Sequence, residues 1–122
     1  MNILVINCGS SSLKFSLFST QNAQPAVVAS GLIQDIGTPS CRISLKEGGI
    51  LNHPASLSTH TQAVELALER LDNLPDKRLP ALNELHAVGH RVVHGGEHFV
   101  APVRIDDQVI DTIRQCAPLA PL

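Results

Sequence analysis

The segment Asn7-Cys8-Gly9-Ser10-Ser11-Ser12-Leu13-Lys14 gathers the residue types that bind a phosphate. Small residues let backbone N–H groups turn toward an anion, three hydroxyls add donors, and Lys14 adds a point charge. The spacing G-x-x-x-x-G-K-[ST] of a P-loop is not satisfied, and no helix is expected after it. Glycine and serine favour turns on their own account, so composition leaves a plain β-turn open beside a phosphate cradle. A second cluster is Gly89-His90-Arg91-Val92-Val93-His94-Gly95-Gly96. An arginine inside an apolar strand is costly to bury without an anionic partner. A carboxylate or phosphate held bidentately satisfies it, and the glycines permit close approach of a ligand or another backbone. The plainer alternative is an Arg91 at a strand end, paired with a structural Asp or Glu.

Other reactive side chains point nowhere as clearly. His86, His90, His94 and His98 are spaced four apart, which on a helix would make one stripe of metal ligands. Gly89, Gly95, Gly96, Val92 and Val93 argue against a helix there, and a strand spreads the imidazoles too far for one ion. Asp106, Asp107 and Asp111 read as helix caps and a solvated face. Cys8, Cys41 and Cys116 are far apart, odd in number and free of any C-x-x-C pair, which predicts reduced thiols in a cytoplasmic protein.

The elements that must position these residues follow from periodicity. Ile3-Leu4-Val5-Ile6 is a continuous apolar run, expected to be a strand covered on both faces. Leu13 to Phe18 alternates with the period of a half-buried strand, so residues 7–12 form the turn of a hairpin. Ala26 to Ile33 predicts a third strand with Gly31 as a candidate bulge. Arg42 to Leu45 predicts a fourth, followed by a Gly48-Gly49 turn. The stretch 34–58 is otherwise hard to assign. Residues 59–74 predict a helix with Val64, Leu68 and Leu71 on its apolar stripe, extended by Ala67 and Leu74. Thr59-x-x-Gln62 offers it a capping box. Residues 85–94 read as a strand. Asp106 or Asp107 caps a last helix with Val109, Ile110, Ile113 and Cys116 on one face.

The whole composition narrows the function classes. In 122 residues, Lys plus Arg number 9 and Asp plus Glu number 11, giving a net charge of −2. That balance argues against a nucleic-acid or anionic-membrane footprint. Phe15, Phe18 and Phe99 are the only aromatics, too few for base-stacking platforms. No apolar run approaches a bilayer span, and the opening residues lack the regions of a secretory signal. Cys8 stands where a lipoprotein cysteine would, but Asn7 replaces the small residue needed before it. The run Ala117-Pro118-Leu119-Ala120-Pro121-Leu122 is apolar rather than a polar tail, which predicts packing against chain that follows.

The two clusters together carry more than either alone. N-x-G-S-S-S-x-K after an N-terminal strand, then G-H-R-V-V-H-G-G about 75 residues on, and C-A-P-L-A-P-L over residues 116–122 resemble the acetate kinase family. The resemblance implies an α/β fold. It is the ribonuclease H-like domain of the acetate and sugar kinase, heat-shock chaperone and actin superfamily, a mixed sheet with flanking helices. Residues 1–122 would form the N-terminal part of such a kinase, an incomplete first actin-like ATPase domain.

The implied reaction is reversible transfer of the ATP γ-phosphoryl group to acetate, giving acetyl phosphate and ADP, with Mg2+ as cofactor. The resemblance gives Asn7 a place near the metal and makes Ser10, Ser12 and Lys14 phosphate contacts. It makes Arg91 the catalytic ligand of the acetate carboxylate and transition state. Val93 and Leu122 become part of the apolar pocket for the methyl group. It also implies a cytoplasmic homodimer whose partners are acetate and ATP, with no nucleic acid and no membrane. The family's other catalytic groups lie beyond residue 122, so the 122 residues alone are expected to be inactive. A propionate or butyrate kinase of the same family is the nearest alternative, since one methylene is worth only about 1–3 kcal/mol in such a pocket. A free-standing, non-catalytic anion-binding module is the alternative outside the enzymes.

Overall fold

Leu13, Phe15 and Leu17 alternate with Lys14, Ser16 and Phe18, and a strand sends successive side chains to opposite faces. In the computed structural model, which describes residues 1–20, 24–46, 50–73, 84–92 and 99–119, that alternation is realised. Leu13, Phe15 and Leu17 are buried and Lys14 is exposed. The chain divides into two compact units, Met1–His90 and Arg91–Leu122.

The first unit is built on a sheet. Its strands are β1 (Asn2–Cys8), β2 (Leu13–Ser19), β3 (Ala26–Gln34), β4 (Arg42–Lys46), β5 (Ile50–Pro54) and β6 (Ala87–Arg91). The helix α1 (His60–Asp72) lies between β5 and β6 in sequence. The sheet order is β5-β4-β3-β2-β1-β6. Strands β1 to β5 pair antiparallel in sequence order. β6 does not: the His86 N–H donates to the Asn2 carbonyl at 2.9 Å, and Gly89 faces a Val5 methyl. The numbers rise together along both strands, so β6 runs parallel to β1 and the sheet is mixed. The chain reaches it from the far edge through α1, the crossover that a parallel neighbour requires.

One face of the sheet makes the core. Leu4, Ile6, Leu13, Phe15, Leu17, Ala29, Ile33, Ile43 and Leu45 are buried there, and α1 packs over β2 and β3. Each such aliphatic or aromatic side chain contributes about 1.5–3 kcal/mol when fully buried. The expectation that Ile3–Ile6 is covered on both faces is corrected here. Leu4 is 2% exposed but Val5 is 37% exposed, because α1 covers the opposite side from Val5.

Two further readings change. The bulge of β3 falls beside Val28, where Leu17 pairs Ala29 but Phe18 pairs Val27. Gly31 keeps a regular register with Phe15 and Leu45. Its glycine is required because a Cβ there would enter the Phe15 ring. In α1 the buried stripe is Ala63, Ala67 and Leu71, with Val64 and Leu68 half-buried at its flank. Small alanines let the helix axis approach the sheet, which displaces the larger residues to the side. Thr59 caps this helix as expected, its hydroxyl accepting from the Gln62 N–H at 3.2 Å. The Gln62 side chain accepts from Ser58 N–H rather than from the cap residue itself. β5 was hidden in the stretch that resisted assignment, and the Gly48-Gly49 turn and Leu74 lie outside the described residues.

The second unit carries the helix α2 (Asp107–Cys116) and a single 3-10 turn at Ala117–Leu119. Asp106 caps α2 by accepting from the Val109 N–H at 2.9 Å. Val109 and Cys116 are buried and Ile113 is half-buried, but Ile110, placed on that face from its spacing, is 38% exposed. Ile110 sits one residue past Val109, about 100° around the helix.

Candidate functional site

The hairpin register places two of the expected site residues side by side. β1 and β2 pair Ile6 with Phe15 and, one row on, Asn7 with Lys14. Ile6 and Phe15 are buried, so the period of two turns Asn7 and Lys14 to the other face, where both are exposed. Residues directly opposite in such a pair have Cβ atoms about 4.5–5.5 Å apart. Among the described residues no carboxylate lies in salt-bridge reach of Lys14, so its charge faces solvent.

The turn beyond this row is held by its carbonyls. The Gly9 N–H donates to the Ser12 carbonyl at 2.9 Å, and the Ile36 N–H donates to the Ser11 carbonyl at 2.9 Å. His60 Nε2 lies 2.7 Å from the Gly9 carbonyl. A carbonyl oxygen only accepts, so this nitrogen carries the proton. Three carbonyl oxygens are thus committed inside the protein. Ser10 and Ser11 are exposed and Ser12 is half-buried, and among the described residues no hydrogen bond engages their hydroxyls. The turn therefore commits the Gly9, Ser11 and Ser12 carbonyls while the Ser10 and Ser11 side chains stay exposed, an arrangement compatible with an anion. A Cβ on Gly9 would meet Ser12 Oγ, a contact that rotation of the serine side chain relieves.

The supports of the turn were not legible beforehand. Thr59 as cap fixes His60 as the first residue of α1, but no sequence signal says that this helix starts against the turn. The link to Ile36 comes from the connection after β3, where Asp35 and Gly37 both take positive φ. Gly37 also donates to the Leu57 carbonyl at 2.8 Å, so that connection is itself pinned near the start of α1.

Cys8 sits at the end of β1 and is half-buried. Burial pushes its thiol above the ordinary value, which keeps it protonated at neutral pH and unlike an activated nucleophile.

Arg91 is the last residue of β6 and is exposed. The burial cost argued from its apolar neighbours therefore does not arise, and the strand-end placement is the observed one. A Cβ on Gly89 would face Val5, and the period of two gives Arg91 the Gly89 side of β6. β6 is anchored at its start: the Asn2 N–H donates to His86 Nδ1 at 2.9 Å, and Asn2 Nδ2 donates to the Glu84 carbonyl at 3.2 Å. His86 is thereby engaged in fixing the strand. Val93, Leu122, His94 and His98 lie outside the described residues.

For a divalent cation the described residues offer no cluster of three His, Cys, Asp or Glu side chains. Magnesium commonly takes one or two protein oxygens and completes its shell with phosphate and water. The exposed Asn7 amide beside Lys14 fits that partial role and no larger one.

Comparison with known proteins gives the family and the fold. The chain is 45% identical over 124 residues to the acetate kinase of Helicobacter hepaticus, covering 100% of this chain and 30% of that protein. The crystal structure of Porphyromonas gingivalis acetate kinase superposes with a TM-score of 0.86 at 36% identity, over 99% of this chain and 30% of that one. A propionate kinase from Francisella tularensis superposes with a TM-score of 0.82 at 33% identity, again over 99% and 30%. The chain thus spans about 30% of the length of the curated relatives it matches. The mixed sheet with its helices is a partial α/β domain of these kinases. The model of the acetokinase family matches residues 2–122, and the chain belongs to that family.

Proposed function

We propose that this chain is the N-terminal part, an incomplete first actin-like ATPase domain, of a kinase that transfers the ATP γ-phosphoryl group reversibly to acetate. The observation that carries the reading is the turn 9–12, whose committed carbonyls and free hydroxyls stand beside the exposed Asn7–Lys14 pair. Ser10 and Ser12 donate to phosphate oxygens and Lys14 neutralises them. Phosphoryl transfer depends mainly on positioning and charge stabilisation, and these groups supply both. Bound Mg2+ would neutralise phosphate charge, with Asn7 as a single neutral ligand. Arg91 is the group proposed to hold the acetate carboxylate, which its planar fork suits. Val93 and Leu122 are proposed to line the pocket for the methyl group. The cytoplasm and a homodimer are the setting proposed for the whole enzyme.

Similarity to the Francisella propionate kinase favours one second reading, a longer acyl substrate on the same phosphate machinery. The test traps the acyl phosphate as its hydroxamate, using the native protein that carries this chain with ATP, Mg2+ and either acetate, propionate or butyrate. Acetate is expected to give the highest kcat/KM, with propionate about 10-fold or more lower. A reversed order would assign the propionate reading, and no product from any acid would remove the kinase reading. The 122 residues alone are expected to give only the blank rate.

A further inference from the structure

The connection between α1 and the turn suggests a role for His60 that neither cluster of the sequence contains. We propose that His60 is a positioning residue that sets the phosphate turn through the Gly9 carbonyl; this rests on the reading of the turn given above. The bond is 2.7 Å long and joins residues 51 positions apart. His60 is half-buried and is the first residue of a capped helix, so its backbone is fixed on the sheet that carries the turn. Gly9 is the first residue of that turn, directly after β1. Its N–H is spent on the Ser12 carbonyl. Its carbonyl is the one dipole whose direction decides which way the peptide between Gly9 and Ser10 faces. Holding that oxygen on the α1 side sends the Ser10 N–H the other way, since the C=O and N–H of one trans peptide point in opposite directions. Without the imidazole the peptide can flip, and a carbonyl oxygen then faces the anion.

The donor must be Nε2–H, so the neutral side chain is held in one tautomer with Nδ1 bare. The role is that of a fixed support.

The test uses His60→Ala and His60→Gln in the native protein that carries this chain, since a glutamine amide can replace the donor. Three readouts are taken. Long-range nitrogen NMR of the ring should show Nε2 protonated. Hydrogen exchange without ligand should quicken in the 9–12 segment in His60→Ala, at least about 5-fold, and return toward the parent in His60→Gln. The ATP KM should rise about 10-fold or more in His60→Ala with a smaller change in the acetate KM, and His60→Gln should recover most of it. Unchanged exchange in the turn, or a ring that carries no proton on Nε2, would overturn the proposal. So would a loss that His60→Gln fails to relieve while its fold and melting temperature match the parent. If the parent protein shows no interaction with ATP or inorganic phosphate, the phosphate reading fails. The ring tautomer and the exchange rates then still decide whether His60 holds the turn.

Discussion

Lys14, Asn7 and the serines owe their arrangement to one register. Had β2 slipped one residue against β1, Lys14 would have turned into the core and Phe15 out of it. The residue types at 7–14 could be read as phosphate chemistry from the chain alone, because hydroxyls, glycine and lysine carry that chemistry wherever they fold. What could not be read is which dipoles of the turn are spent. The partners of the Gly9 and Ser11 carbonyls are His60 and Ile36, far away in sequence, and no local pattern marks a long-range carbonyl acceptor. Arg91 shows the opposite case. Its apolar neighbours suggested burial, yet the strand ends on it and it is exposed. Cys8 gives a prediction at this scale. Burial raises its thiol above the ordinary value, so the thiolate is scarcer than in a free thiol at the same pH. Alkylation by iodoacetamide, followed by mass spectrometry at pH 7.5, should be slower at Cys8 than for glutathione and should accelerate as pH rises. A rate equal to glutathione's would contradict the buried thiol.

Elements announced themselves where period and punctuation agreed. The hairpin, β3, β4, α1 and α2 were all legible from alternation or from a capped apolar stripe, and each lies within a residue or two of its expected bounds. β5 was not, since Ile50–Pro54 is a short edge segment with little alternation of its own. The stripe of α1 holds Ala67 and Leu71 as expected but takes Ala63 ahead of Val64 and Leu68, because hydrophobicity was weighed without size. Ala63 and Ala67 lie closest to the sheet because they are small. Gly31 makes the same point about shape. It looked like a bulge, but the Phe15 ring lies over it and the register is regular. Gly31→Ala should therefore act by overpacking, at a cost of about 1–3 kcal/mol in urea unfolding. Combined with Phe15→Leu, which frees that space, the two losses should sum to less than their separate values. Strict additivity would mean that the ring does not set the glycine.

At the scale of the whole molecule, the chain holds a cationic, donor-rich turn at the end of β1 and a strand parallel to β1 that ends on an arginine. It spans about 30% of the length of the relatives it matches, and the proposed reaction is tested on the native protein. The fold class was legible through the family resemblance, with which strands first and then helix, strand, helix are consistent. The parallel seat of β6 was not, since it depends on a crossover of the whole sheet. On the function proposed above, the turn at the end of β1 holds the phosphates of ATP. Steady-state kinetics of acetyl phosphate formation by the native protein and its Lys14→Ala variant tests it most directly. Hydrogen bonds to charged groups are worth about 1.5–3 kcal/mol, so the ATP KM is predicted to rise about 10- to 100-fold while the acetate KM moves little. An ATP KM unchanged in Lys14→Ala, or a loss confined to acetate, would contradict the account.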